Sequence, residues 1–330
     1  MEEGQELDKV LNIFIRVNSG GTQLSYSDLL LSIATAQWKE RDARETITEF
    51  VDEINEYGDT FDFNKDLVLK TCLVLCDFPD IAFKVDNFNA SNMRKIEEEW
   101  DNIANAIRTT VELLSGFGFN YKTLTANYVV IPVAYYLYKK GIPKNYVQSS
   151  SYRDDREQIK KFILVSLIKQ IFGGQPDNVL RPIRDIIKNN LDQFPFKTIK
   201  SELKVSNKNY KFDEEELGEL LYTKYGGKYA FSLLSLLYPN LDYRNTFHQD
   251  HIFPRSLISS KTKLRKKGIK EDKIQFYLDN YDYIGNIQLL EGVPNQEKSD
   301  MEFDKWLSKE FPKDLDKADY KKNTIYLMSH

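Results

Sequence analysis

The sequence has few of the residues that build disulfide frameworks or metal cages. Its 330 residues include only two cysteines and three histidines. Cys72 and Cys76 lie four positions apart in an apolar run. Two thiols without a second pair form neither a disulfide framework nor a zinc site. We therefore expect two buried, reduced cysteines on one face of a helix.

Long apolar runs and an excess of one charge are also missing. The longest apolar stretch, residues 128–138, is interrupted by Pro132 and is far shorter than the ~20 residues that a membrane span requires. The acidic start, Met-Glu-Glu-Gly, does not resemble a secretory signal peptide. A formal charge of −4 argues against a chain that coats nucleic acid over its whole surface. We predict a soluble, cytoplasmic protein without a membrane partner, in which any nucleic-acid site is local.

The middle of the chain has the periodicity of helices. Between about residues 44 and 240, apolar residues recur every three or four positions, and strand-like alternation is scarce. This pattern predicts a mainly α fold with a helical domain over residues 44–240. An earlier helix is expected to begin at Ser25 or Ser27 and to continue through Trp38. The individual helices are predicted over residues 63–78 (capped by Asn64), 91–114, 125–139, 155–171, 176–191 and 213–237.

The pattern changes near residue 241. Residues 246–254 are aromatic-rich and end at a proline, as a strand does, and residues 283–290 form a second strand-like run. Residues 261–273 between them carry seven basic and two acidic side chains, a net charge of +5. A helix is expected from Asn295, with Phe303, Trp306, Leu307 and Phe311 on one face. Residues 241–330 are therefore predicted to form a small strand–connection–strand–helix unit.

This unit contains residues suited to phosphodiester hydrolysis. His251 follows Asp250 directly, and Asn286 and Asn295 follow it after 35 and 44 positions. Histidine can accept a proton from water near neutral pH, and Asp250 and Asn295 offer the hard oxygen ligands that Mg²⁺ or Mn²⁺ prefers. Neighbouring strand residues point to opposite faces, so one can hold a metal while the other addresses the attacking water. His248 shares a face with Asp250 and is an accessory ligand, a substrate contact or a surface residue.

Three blocks in this order resemble the HNH (ββα-metal) nuclease signature. They are residues 250–254 (Asp-His-Ile-Phe-Pro), 285–290 (Gly-Asn-Ile-Gln-Leu-Leu) and 295–300 (Asn-Gln-Glu-Lys-Ser-Asp). More narrowly, they are similar to the HNH domain of GmrSD-like restriction endonucleases, the modification-dependent defence nucleases of bacteria. The resemblance covers about a quarter of the chain. It implies a helical domain followed by a small ββα-metal (HNH) nuclease domain over residues 241–330.

The resemblance also implies roles for individual residues. His251 would be the general base, and Asp250 and Asn295 would bind the divalent metal. Asn286 would hold the loop and orient the histidine, and Lys298 would lie close to the phosphate. From the residues alone, Asn286 reads as a structural brace and Lys298 as either a phosphate contact or a solvated side chain.

A block near the N-terminus resembles the companion domain of the same family. Residues 18–25 (Asn-Ser-Gly-Gly-Thr-Gln-Leu-Ser) are similar to a segment of its ParB-like, nucleotide-hydrolysing domain, with Asn18, Gly20 and Gly21 as nucleotide-binding candidates; an ordinary turn between helices is the alternative. The block Asp-Gly-Gln-Gln-Arg of that domain is missing from the sequence. Residues 1–43 are thus expected to be a remnant of such a domain. The chain would then be a fragment, or a ParB-like NTPase domain or subunit would be its partner.

The basic run supplies the candidates for DNA contact. Its position between the first two motif blocks favours contact with the DNA backbone, and a solvated helix face is the alternative. The candidate side chains are Lys261, Lys263, Arg265, Lys266, Lys267 and Lys270. Together these features predict a metal-dependent HNH DNA endonuclease with a restriction or phage-defence role. A catalytically silent helical scaffold or regulatory subunit, and a nuclease acting on RNA, are the alternatives.

Overall fold

The computed structural model describes residues 26–58, 60–205 and 208–324. The nucleotide-binding candidates Asn18, Gly20 and Gly21 lie outside these residues, as does most of the predicted ParB-like remnant. The described part of the chain is mainly helical and contains one small antiparallel sheet of two strands. The expectation of a mainly α fold is therefore confirmed.

In chain order, the elements of the described residues are α1 (Tyr26–Gln37), α2 (Ala43–Asn55), α3 (Lys65–Leu75), α4 (Ala90–Gly116), α5 (Val130–Lys140), α6 (Arg153–Ile168), α7 (Asp177–Lys188), α8 (Phe196–Glu202), α9 (Glu214–Leu220), α10 (Ala230–Leu237), β1 (Phe247–His251), α11 (Arg255–Ile258), α12 (Lys261–Lys266), α13 (Glu271–Asn280), β2 (Ile287–Glu291), α14 (Gly292–Lys298), α15 (Phe303–Glu310) and α16 (Asp314–Thr324). Short 3₁₀ turns precede α4, α5, α6 and β2. None of these helices combines the length and apolar character needed to cross a bilayer.

The chain divides into two compact units. The first unit comprises residues 1–112, 127–152 and 175–195. Within its described part, the Trp100 ring on α4 makes edge-on contacts with Trp38 and Phe50. Cys72 and Cys76 are buried free thiols on and just after α3, which confirms the expected burial. Asn64 caps α3 by accepting a hydrogen bond from the Leu67 amide, as the sequence predicts.

The second unit comprises residues 113–126, 153–174 and 196–330. In it, α6 packs against α10, α10 reaches β2, and α14 contacts both strands. A buried cluster of Ile252, Leu290, Phe303, Trp306 and Leu307 secures α15 to the sheet. A smaller cluster of Ile258, Leu264 and Ile274 joins α11, α12 and α13. The sheet therefore packs against one helix that precedes it in the sequence, α10, and two that follow it, α14 and α15.

The predicted helix over residues 213–237 is wrong in one respect, because the structure divides it into α9 and α10. Gly226 adopts a positive φ of 67°, and a Cβ on Gly227 would lie 2.8 Å from the Lys224 carbonyl oxygen. Only glycine accommodates such positions without strain. Residues 222–226, part of the segment between the two helices, include an antiparallel bridge between Lys224 and Tyr283 instead. We call this segment the strap.

The predicted strands and the last helix also differ from the structure in extent. Strand β1 ends at His251, and residues 284–286 form a 3₁₀ turn before β2. The helix expected to run on from Asn295 is divided into α14 and α15, because Ser299 adopts a positive φ of 41° and ends α14. Of the two predicted caps of α1, Ser27 lies inside the helix and does not cap it, and Ser25 lies outside the described residues. The apolar periodicity predicts the positions of the helices well, but it does not predict the breaks near Gly226 and Ser299.

Candidate active site

The two-stranded sheet places Asp250 and His251 at the end of β1. In the antiparallel register, Asp250 pairs with Gln288 and His251 pairs with Ile287. Gln288 is completely buried, and its Nε2 donates a hydrogen bond of 2.8 Å to Asp250 Oδ2. The Tyr320 hydroxyl donates to the Gln288 Oε1 at 2.7 Å. The orientation of the Asp250 carboxylate is thus set by a cross-strand contact that is itself held by α16.

A cleft of about 410 Å³ opens beside this end of the sheet. Asp250, His251 and Asn295 all line it, together with Pro254, Arg255, Ser256, Gln296, Ser299 and Asp300. Asn295 reaches the cleft because α14 follows β2 directly and packs against both strands. Three of the predicted site residues from two separate sequence blocks therefore meet in one cavity. His248 is exposed and is not among the residues that line this cleft.

Lys298 lies beneath the cleft and not in its wall. Its side chain is 0 % exposed, and its Nζ lies 2.9 Å from Asp250 Oδ2. The same ammonium donates a 2.6 Å hydrogen bond to the His251 carbonyl oxygen. The structure thus places the Lys298 charge against the predicted metal ligand and the backbone of the predicted base.

His251 is held by two residues that the motif does not contain. Its Nε2 lies 2.8 Å from Asp282 Oδ1, and its side chain is only 14 % exposed. The Tyr225 ring of the strap stacks on the imidazole, with ring centroids 4.7 Å apart and planes inclined by 20°. In the described structure the imidazole is therefore bonded at Nε2 and covered on one face.

Asn286 lies at the centre of a backbone clamp. Its Nδ2 donates to the Phe253 carbonyl oxygen at 3.1 Å and to the Tyr281 carbonyl oxygen at 2.7 Å. The Phe253 amide donates back to Asn286 Oδ1 at 2.9 Å. The side chain is 5 % exposed and makes no hydrogen bond to the His251 ring. Asn286 thus joins the segment after His251 to the segment before Asp282, and it acts on the imidazole only through the backbone.

Five of the six basic candidates lie on α12 or at its C-terminal end, Lys270 directly precedes α13, and all six are exposed. Two of them are engaged in ion pairs, Arg265 with Glu271 at 2.5 Å and Lys267 with Glu302. These contacts lower the pKa of the Glu271 and Glu302 carboxyls below the ordinary value for glutamate. The other four make no ion pair with a described residue: Lys261, Lys263, Lys266 and Lys270. The side chains available for a phosphate backbone are therefore these four.

The donor set of the cleft suits a hard, partly hydrated cation and not a closed metal cage. No group of three His, Cys, Asp or Glu side chains comes together to hold a metal within residues 26–58, 60–205 and 208–324. Mg²⁺ is commonly held by one or two carboxylates and keeps several waters. Asp250 offers Oδ1, since Gln288 and Lys298 engage Oδ2, and Asn295 offers an amide oxygen on the same cleft. These two residues fit such an ion.

Sequence reasoning missed Asp282, Tyr225 and Gln288. Asp282 lies in a loop 31 residues from His251, and nothing in the local pattern distinguishes it from the nearby Asp279. The apolar periodicity places Tyr225 inside a continuous predicted helix, residues 213–237. The adjacent Gly226-Gly227 pair is the one signal that indicates a break there.

Comparison with models of known protein families found no match, and comparison with curated proteins found none either. The interpretation of the site therefore depends on its geometry and on the motif blocks.

Proposed function

We propose that this chain is a metal-dependent HNH endonuclease that hydrolyses phosphodiester bonds in DNA. The observation that supports the proposal best is the convergence of Asp250, His251 and Asn295 on one cleft. Asp250 and His251 lie at the end of β1, and Asn295 lies on α14, which follows β2 directly. This order of elements is the one that a ββα-metal arrangement would have. The three side chains combine a titratable nitrogen with two hard oxygen ligands, a set suited to metal-assisted hydrolysis of a phosphodiester.

In this proposal each residue has a distinct task. His251 Nδ1 accepts a proton from the attacking water, because Nε2 is already engaged by Asp282. Asn286 keeps the backbone on both sides of this contact in place. When bound, a divalent ion held by Asp250 and Asn295 supplies positive charge that stabilises the phosphate and the departing oxygen. Lys298 compensates the Asp250 charge from beneath the cleft, a different role from the phosphate contact that the family resemblance implies.

The biological setting of the proposal comes from the resemblance alone. A restriction or phage-defence role, and a ParB-like NTPase domain or subunit as partner, follow from the blocks similar to GmrSD-like endonucleases. Because residues 18–25 lie outside the described structure, the geometry contributes nothing to this part of the proposal.

The first prediction concerns the metal. The purified chain is expected to nick or cut plasmid DNA with Mg²⁺ or Mn²⁺ present and to stop when a chelator is added, because the proposed ion supplies the charge that stabilises the phosphate and the departing oxygen. Supercoiled plasmid, modified phage DNA and a matched RNA are incubated with and without the metal, and products are separated on gels. Cleavage that continues in chelator contradicts the metal role. Preferential cleavage of the RNA contradicts the DNA assignment, and a chain inert on every substrate supports the silent scaffold.

The second prediction concerns DNA affinity. Replacing Lys261, Lys263, Lys266 and Lys270 by glutamine is expected to flatten the dependence of log Kd on log salt by about 0.9 for each phosphate that the protein no longer neutralises. Fluorescence anisotropy with a DNA duplex between low and moderate salt measures this slope. The matched control neutralises four exposed lysines elsewhere, namely Lys144, Lys197, Lys200 and Lys204. If both variants change the slope equally, the α12 lysines have no special part in binding.

A further inference from the structure

We propose that Asp282 is the positioning residue for His251: its carboxylate holds the Nε2 proton, so that Nδ1 is the nitrogen that receives the proton of the attacking water. The inference rests on the proposed function for its catalytic meaning. It assigns a role to a residue outside the three motif blocks.

The contact has the geometry of a strong, charge-assisted hydrogen bond. Asp282 Oδ1 lies 2.8 Å from His251 Nε2, and the two side chains are 33 % and 14 % exposed. An ionised carboxylate can only accept a hydrogen bond. The imidazole nitrogen that faces it must therefore carry a proton. In the neutral ring this leaves the lone pair on Nδ1, which is the form that a general base needs.

The backbone around Asp282 is fixed on both sides. The Tyr281 carbonyl oxygen accepts the hydrogen bond from Asn286, and the Asp282 carbonyl oxygen accepts one of 2.8 Å from the Tyr225 amide. The Ile284 amide donates to the Thr223 carbonyl oxygen at 2.7 Å. The carboxylate thus projects from a backbone segment that is hydrogen-bonded to the strap and to Asn286. These bonds restrict where the carboxylate can lie.

The strap also limits the other movement open to the imidazole. Tyr225 stacks on the ring face, and the following amide of Gly226 donates a 2.8 Å hydrogen bond to Gln249 Oε1 on β1. Rotation of the imidazole about its Cβ–Cγ bond out of this plane would break the stacking contact, whereas a half-turn, which keeps the ring plane, would break the bond to Asp282. The two contacts therefore select one ring orientation as well as one tautomer.

Nitrogen NMR on protein labelled at its histidines tests this inference without any cleavage. The chain has three histidines, so the His251 signals are assigned by their loss in His251→Ala. In mildly alkaline solution, His251 is expected to show the Nε2–H tautomer with a proton that exchanges slowly enough to be observed. In Asp282→Ala that proton is expected to exchange too fast to be seen. Asp279→Ala, which removes an exposed carboxylate of α13, is the matched control and should retain the signal.

Kinetics supply the second readout. Asp282→Ala is expected to lower kcat by about 10–100-fold, the size of effect found when the carboxylate behind a metal-bound histidine is removed. The KM for DNA and the Tm should match those of Asp279→Ala. A His251 ring in the Nδ1–H form, an unchanged Nε2–H signal in Asp282→Ala, or a loss that appears in KM instead of kcat would each overturn the inference. If the wild-type chain cleaves nothing, the proposed function fails, and the NMR result still decides whether Asp282 sets the state of His251.

Discussion

His251→Ala is expected to slow DNA cleavage by about 10²–10⁴-fold, the range that a positioned general base contributes. The reason is that the variant removes the one cleft residue that can take a proton from water near neutral pH while Asp250 and Asn295 stay in place. The affinity for DNA should be retained. The lysines proposed to contact the phosphate backbone lie on α12 and just before α13, so the substitution does not remove them. Initial cleavage rates and duplex anisotropy, measured on the same preparation, separate the two effects.

The matched control is His248→Ala. It removes the same side chain three positions earlier in β1, where the residue is exposed and lies outside the cleft. We expect its cleavage rate to equal that of the wild type. A His251→Ala chain that cuts as fast as the control would contradict the proposed mechanism. A slow His248→Ala chain would instead identify His248 as an accessory ligand or substrate contact.

Lys298→Met is expected to destabilise the second unit by about 3–5 kcal/mol, the cost of leaving one partner of a buried ion pair without its counter-charge. The Lys298 side chain is 0 % exposed and Asp250 is 10 % exposed, so water can reach the carboxylate only from the cleft and replaces the missing ammonium only in part. The His251 carbonyl oxygen also loses its donor. Methionine keeps most of the volume and the flexibility of lysine, so the change isolates the charge.

A double variant separates charge from packing. Asp250→Leu combined with Lys298→Met leaves no unpaired charge and is expected to recover part of the stability, since buried pairs are often replaced by apolar residues at little cost. Recovery is incomplete because Gln288 Nε2 and the His251 carbonyl oxygen still lack their partners. Fluorine NMR of protein labelled with 5-fluorotryptophan follows urea unfolding. Trp306 belongs to the second unit, whereas Trp38 and Trp100 belong to the first. A single Lys298→Met variant as stable as the wild type at Trp306 would contradict the ion pair as a stabilising contact.

The sequence predicts the helical body well because burial follows a regular period. Predicted residues 91–114 correspond to α4, and the cap at Asn64 is where the pattern places it. The same reasoning fails at Gly226 and Ser299, where single residues with positive φ divide long apolar patterns. Apolar periodicity is a property of many residues together, so it does not indicate where a single residue adopts a positive φ.

The site is only partly predictable for a different reason. Asp250 and Asn295 are recognisable because their spacing follows a motif, and they line one cleft. Asp282 and Tyr225 reach His251 through loop pairing over long sequence distances, and no local pattern encodes such contacts. Lys298 was misleading because lysine is usually solvated, whereas tertiary structure buries it against a carboxylate.

The strap bears on whether residues 241–330 contain every residue that contacts His251. Residues 222–226 precede the first motif block by more than twenty positions, yet they cover the imidazole and are tied to both the Asp282 loop and β1. A graft of residues 241–330 onto another protein would carry the cleft residues and leave behind the tyrosine that restrains the histidine. The proposed nuclease unit therefore extends beyond residues 241–330 to the strap, which supplies the ring that stacks on His251.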